Sequence, residues 1–393
     1  MKFILNLFIL ILMCIACESN SDMENKDPGM ISISIPAETD GSWNAMEYFS
    51  DYQIIPLETT DASLIRRIKK VIVLKEYIIV FDSSGGKIHF FGPQGKYLHS
   101  IDVSGDGPGE LLGPQDISVN PKEGALLVYD DKNGLITYDL NGQFLTQEKD
   151  VFDGVVTTNF FDVLCFERIS DRTFLFRREV PGNGGDHQNG KKLYIGDFHL
   201  MTDSFLNYSL DNYTNHNTVY TNYFSAYEQG FNYWEIFNDT LYHVDGEKKT
   251  LKRKYYLDFG KRSMADLLPH SPLNELLGYL NKNGTKHSGM PRHFVEFEDK
   301  LFFNYTYDLT NNNPQVKFAV YAKESERINV FDGIHLPDEG LSFKELQFKI
   351  TGDKALAVVN PIDLFENENS RTFLENYPDL QQSDNPVLVI LSR

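Results

Sequence analysis

Cysteine is scarce: of three in 393 residues, Cys14 and Cys17 fall at the extreme N-terminus and only Cys165 lies beyond. No disulfide framework can therefore hold the folded part together, even in an oxidising compartment. Basic residues are outnumbered, 37 Lys and Arg against 56 Asp and Glu, for a formal net charge of −19. Neutralising a phosphate backbone needs a basic face, so this composition excludes a nucleic-acid partner. An acidic surface keeps an exported chain soluble and discourages adhesion to anionic lipid. Hydrolase motifs are missing too, with no G-x-S-x-G elbow and no H-E-x-x-H pair. The ten histidines are scattered. None has a partner at metal-ligand spacing, and His89, His199 and His243 read as sheet-surface positions.

The N-terminus carries the most specific signal. "MKFILNLFILILMCIAC" sets Lys2 ahead of an apolar run from Phe3 to Leu12, interrupted only by Asn6, and ends at Cys17. That is the pattern of a secretion signal. The run is too short for a membrane-spanning helix, which takes about 20 apolar residues. Ala16 directly before Cys17 resembles the cleavage site of bacterial lipoproteins. The resemblance makes residues 1–16 the signal peptide and Cys17 the lipidated first residue of the mature chain, although Cys14 stands where leucine is usual. Residues 17–30 are polar, without a periodic apolar face, and read as a flexible tether.

The remainder exceeds the size at which one core stops growing, about 250 to 300 residues, so it must divide or repeat. Two segments align, "YIIVFDSSGGKIHFFGPQGKYLHSI" from Tyr77 and "ALLVYDDKNGLITYDLNGQFLTQE" from Ala125. Each has a strand closing in aromatic-Asp, a glycine turn, a second strand, a hairpin at Gly95 or Gly142, and a third strand. Asp82 to Asp130 is 48 positions and Gly95 to Gly142 is 47. Consecutive antiparallel strands with a period of about 45 residues predict propeller blades. Further strand-like runs continue to the C-terminus, with a polar insertion "PGNGGDHQNG" in the third unit. They predict an all-β, six-bladed propeller of four-stranded antiparallel blades over residues 31–393.

Two late interruptions have helical spacing: one with Leu273, Leu276, Leu277 and Leu280, the other with Leu364, Phe365, Phe373 and Leu374. They read as short helical insertions covering sheet edges. The terminal "PVLVILSR" is apolar and β-branched. It is expected to close the last blade together with "YQIIPLE" at 52–58, because a ring leaves no free edge when its two chain ends share a sheet. Cys165, in the apolar run "FFDVLCFERI", reads as a buried inert thiol.

"IIPLETTDASLIRRIKKVIV", "GDGPGE", "GALLVYDDKNGLITYDLNGQFL", "NDTLYHVDG" followed by "KYYLDFG", and "DNPVLVILSR" together resemble the six-bladed β-propeller lipoproteins of Bacteroidetes, NHL-repeat-like and TolB-like in architecture. The resemblance covers residues 50–393. It implies a propeller in the cell envelope, an outer-membrane lipoprotein facing periplasm or cell surface, and implies no agreed activity. The family's usual opening motif has a basic residue where this chain has Asp106.

The stretch 101–121, "IDVSGDGPGELLGPQDISVNP", tests metal and phosphate readings. As a calcium loop from Asp102 it supplies Ser104, Asp106 and Gly107 in place, but its twelfth position is Gly113 and Glu110 is ninth. It contains no Lys or Arg, which excludes a phosphate loop. Gly105, Gly107, Pro108 and Gly109 instead suit a turn crossing from the outer strand of one blade to the inner strand of the next. Such crossings reach the mouth of the central channel, making Asp106, Glu110 and Gln115 candidate binding residues. The tyrosines of 212–224, set among Asn and Thr, read first as edge aromatics of a solvated loop and second as glycan or peptide contacts. The function expected is a lipid-anchored module binding a glycan, peptide or protein, with no catalytic residues and no cofactor. The alternative is a calcium-dependent, lactonase-like hydrolase drawing oxygen ligands such as Glu110, Asn120, Asn159 and Asn222 from several blades.

Overall fold

The computed structural model describes residues 29–149, 151–152, 163–178, 191–207, 223–235, 238–266, 278–279, 282–283, 286–308, 315–350 and 352–393. Cys17 and the leader, the insertion at 181–190, Asn159, Asn222, most of 212–224 and the leucines Leu273, Leu276, Leu277 and Leu280 lie outside the described residues.

Strands follow one another antiparallel, four to a blade, as the period predicts. Blade 1 comprises Ile68–Val73, Ile78–Asp82, Lys87–Phe91 and Tyr97–Ile101. Blade 2 comprises Pro114–Asn120, Ala125–Asp130, Gly134–Asp139 and Phe144–Glu148. Blades 3, 4 and 5 start at Val163–Arg168, Phe224–Tyr227 and Gly289–Glu296. Blade 4 gains a fifth strand, Ile31–Ser34, parallel to its outer edge with Ile31 opposite Tyr255.

All the expected blades are present, yet the count of six is corrected: the strands form seven sheets. The addition, blade 6, has three strands rather than four. Gly333–Leu336 runs antiparallel to Leu341–Phe343, and Ser42–Asn44 adds in parallel. Strands of three or four residues give no readable alternation, and a parallel partner from the far end of the chain has no local signal. What stabilises blade 6 is burial. Trp43 packs 5.3 Å from the Phe302 ring of blade 5, while Ile334 and Leu341 join Ala355 and Val389 of blade 7 in one apolar cluster.

Blade 7 closes the ring as expected. Val387–Ser392 lies between Lys354–Val359 and Asp51–Pro56, with Val387 opposite Pro56 and Ser392 opposite Asp51. The late insertion forms two short helices, Pro361–Glu366 and Arg371–Asn376, which bury Leu364 and Phe373 against the same cluster.

One surface reading is overturned. His89 and His243 are buried, because neighbouring blades cover both faces of a sheet and alternation no longer marks an outside. His199 lies outside the strands, exposed, with Nε2 2.9 Å from the Glu148 carboxylate.

Candidate functional site

The aromatic-Asp that ends the second strand of blades 1 and 2 organises one face of the propeller. Asp82 accepts the backbone N–H groups of Ser84 and Gly85 in its own turn and those of Arg66 and Arg67 in the incoming connector. Asp130 repeats this, accepting Lys132 and Asn133 N–H within its turn and Leu112 and Gly113 N–H from the connector. Each carboxylate thus satisfies four donors that an irregular loop would leave unpaired. The consequence is a rigid face on which connectors and turns meet.

A cavity of about 470 Å³ opens on this face. Arg66 and Arg67 come to it from the connector into blade 1, Lys69 from the first strand of that blade, His293 from the first strand of blade 5, Glu345 and Phe348 from the entry to blade 7, and Asn360 and Ile362 from the start of the helical insertion. A neighbouring cavity of about 610 Å³ shares Glu345, Gln347, Val358 and Asn360 and extends past Lys344 to Asp363, Glu366 and Glu368 at the helical insertion. The smaller one is the candidate site because strands of three blades converge on it.

Its wall is built under strain. The first strand of blade 5 skips register on both sides of Arg292, and Met290 and His293 hold φ of 52° and 55°. Left-handed backbone at non-glycine residues persists only where the surroundings impose it. Here the result is that neighbouring residues converge on one carboxylate. Arg292 donates from Nε at 3.0 Å and from Nη2 at 2.7 Å to Oε1 of Glu345, and His293 Nε2 lies 3.4 Å from Oε2. Burial pushes His293 down to about 4, so its imidazole is neutral at physiological pH. Burial opposes ionisation of Glu345 as well, but His293, protonated in the acid range where that carboxyl titrates, and Arg292 outweigh it and hold the carboxyl below its usual range.

Lys69 is the other unusual wall residue. Its ammonium donates to the carbonyl oxygens of Gln115 and, at 2.7 Å, Leu164, bridging from blade 1 to blades 2 and 3. Burial lowers its pKa. Lys70, next along the strand, is buried with carboxylates instead: Asp116 at 3.1 Å and Glu167 at 3.0 Å.

The sequence-selected residues sit on the neighbouring connector, between blades 1 and 2. Glu110 turns back into its own loop and accepts Gly107 N–H at 2.9 Å. Gly105 and Gly109 take φ of 158° and 75°, and a Cβ on Gly105 would stand 2.0 Å from the Glu110 carboxylate. Tyr138 donates to Gly109 O, and Asn133 donates to the carbonyls of Gly105 and Glu110, so blade 2 anchors the whole turn. Pro108 and Asp106 are exposed. Gln115, at the start of the first strand of blade 2, accepts from Lys69 through its backbone carbonyl, and neither it nor Asp106 nor Glu110 lines the cavity. Asn120 accepts Lys122 N–H in the turn after its strand. Cys165 is buried and free, with burial and Asp116 pushing its thiol up to about 12, which makes it a poor nucleophile. Among the described residues, no group of three or more His, Cys, Asp or Glu side chains is placed to hold a metal ion.

Sequence reasoning missed Arg66, Arg67, Lys69, Arg292, His293 and Glu345 as site residues. One signal was present, the basic run "RRIKK" in a chain of net charge −19, although "KKTLKRK" at 248–254 is equally basic.

The fold and this loop-built mouth define a β-propeller. Over residues 30–392 the chain matches the model of a family described as a domain of unknown function, DUF4934, and it belongs to that family. A search of curated proteins found no match. Among solved structures, the chain is similar to a protein of Bacteroides fragilis NCTC 9343 designated as exported, at 16% identity and a TM-score of 0.67, covering 93% of this chain and 99% of that one. It is also similar to a member of the DUF4221 family from Bacteroides vulgatus ATCC 8482, at 12% identity and a TM-score of 0.51, covering 88% and 96%. At these identities the likeness is one of fold. No helix among the described residues is long and apolar enough to cross a membrane.

Proposed function

We propose that this chain is a lipid-anchored propeller of the bacterial cell envelope that holds a ligand at the mouth cavity between blades 1, 5 and 7. The observation that carries the binding role is the strained wall: the backbone of Met290 and His293 is forced into left-handed geometry where Arg292, His293 and Glu345 form a preorganised polar group beside open space. Concave sites with a few fixed polar groups are where small ligands bind. The envelope location is supported by the leader ending at Cys17 and by the exported designation of the B. fragilis protein. In the same reading the anchor is an outer-membrane one, and the NHL-like and TolB-like kinship remains part of the proposal.

Two measurements test this. Glycan and peptide arrays probed with the full chain should show a ligand that the cavity-narrowing Ile362→Trp variant loses at least tenfold without a change in melting temperature. Ile362 is 48% exposed on the cavity rim, so the added bulk faces open space. Undiminished binding by the variant would move the site elsewhere. For the anchor, palmitate labelling in the native host should disappear in Cys17→Ser; unchanged labelling would sink the lipidation at that residue.

A further inference from the structure

We propose that the mouth cavity binds a small hydroxylated monocarboxylic acid of the uronic-acid type, with its carboxylate held by Arg66, Arg67 and Lys69. This rests on the cavity being the ligand site. The charge around the cavity runs against that of the molecule. In a chain of net charge −19, three cations line it against two carboxylates, Glu345 and Asp384. Glu345 is already neutralised by the two N–H bonds from Arg292, and Asp384 accepts the backbone N–H of Gln381 at 2.8 Å.

Lys69 supplies the strongest part of the argument. Both hydrogen-bond acceptors of its ammonium are neutral carbonyls, while Asp116 on the adjoining blade is bridged to Lys70. Buried cations are ordinarily paired, because desolvating a charge without a counter-ion is costly. An anion in the cavity would supply the missing partner. Arg66 and Arg67 stand at the rim on backbone pinned by Asp82 at 2.9 and 3.0 Å, so their attachment points are fixed before binding. Planar guanidinium groups suit the two oxygens of a carboxylate. A divalent phosphate would be set close to the carboxylates of Glu345 and Asp384, which a monoanion opposes less strongly.

Size and polarity narrow the rest of the ligand. About 470 Å³ suits a molecule of monosaccharide dimensions. The amides of Asn360 and Gln382 line the wall and suit hydroxyl groups, although Asn360 also donates to Asp363 at 3.4 Å, and Ile65, Phe348 and Pro386 offer apolar surface for a ring face.

The test is calorimetric titration of the full chain with glucuronate, galacturonate, glucose, galactose and inorganic phosphate. At least one uronate should bind with one-to-one stoichiometry, while the neutral sugars do not. Raising salt from 50 to 300 mM should weaken that binding several-fold, and Arg66→Ala with Arg67→Ala should weaken it at least tenfold. The salt series and the neutral sugars are measured on the unmodified protein, so they decide the matter even if the double variant folds poorly. Binding of phosphate alone, equal binding of a neutral sugar, silence from both uronates, or a folded double variant with unchanged affinity would each overturn the proposal. A neutral sugar whose binding is lost in Ile362→Trp would keep the cavity as the site and sink only the acid. A uronate that still binds Ile362→Trp would sink both.

Discussion

Single buried charges are handled in opposite ways in this protein. Lys70 is almost fully enclosed, yet its ammonium reaches Asp116, Glu167 and the carbonyls of Ile117 and Phe166, joining three blades. Burial works against that charge, and Asp116 and Glu167 overcome it, so its pKa is raised. Asp239 has no such company. Ser263 donates to Oδ2 at 2.6 Å, Oδ1 has no hydrogen-bond partner, and burial pushes the carboxyl from 3.8 up to about 7. A carboxyl whose folded pKa lies above its unfolded one binds more protons in the folded state. Its contribution to stability therefore falls as pH rises from about 4 to about 7, by up to about 4 kcal/mol for a shift of this size. Asp239→Asn should accordingly raise the urea midpoint strongly at pH 8 and less than half as much at pH 5. An equal gain at both values would show that ionisation of Asp239 is not the source of the loss.

At the scale of elements, the turn glycines are not equivalent. Gly134 holds φ of 79°, and a Cβ there would stand 2.1 Å from the Glu148 carbonyl oxygen, which is backbone and cannot swing aside. Gly124 has φ of 62° with nothing within 4 Å of that position. Alanine at Gly124 should lose only the conformational preference, about 1 kcal/mol. At Gly134 the clash adds to it, and a loss of about 3 kcal/mol is expected from the cost of overpacking. Chemical denaturation of the two variants side by side checks the difference; equal losses would mean that the sheet edge yields. The same turns explain what could be read without coordinates. Aromatic-Asp followed by a glycine turn marked blades 1 and 2, because that Asp ties turn to connector and Gly86 and Gly134 take positive φ. Blade 6 carried no such marker, and its short strands draw on Ser42–Asn44, far from their partners in sequence. The candidate site was legible only as a face. Which connector opens onto a cavity depends on bringing Arg66, His293, Glu345 and Asn360 together, and only the closed ring does that.

For the whole molecule, two electrostatic effects should respond to salt with opposite sign. The net charge of −19 is spread over a surface whose ion pairs are in many cases exposed, such as Lys75 with Glu76 and Lys132 with Asp131. Exposed pairs of this kind contribute little, whereas self-repulsion among excess carboxylates opposes the compact state over longer distances. The Debye length shrinks from about 10 Å at 0.1 M to about 3 Å at 1 M, which removes most of that repulsion. The buried pairs, Lys254 with Glu296 at 2.8 Å and Lys192 with Glu235 at 2.8 Å, are shielded from solvent ions and lose little. Sodium chloride should therefore raise the melting temperature of the unliganded protein by a few degrees between 50 and 500 mM, while any anion held by Arg66, Arg67 and Lys69 binds more weakly over the same range. Thermal unfolding across a chloride series, with and without a bound uronate, reads both effects in one experiment. A melting temperature that falls with salt in the unliganded protein would mean that ion pairs across the blades, rather than repulsion among its acids, govern how this ring responds to its surroundings.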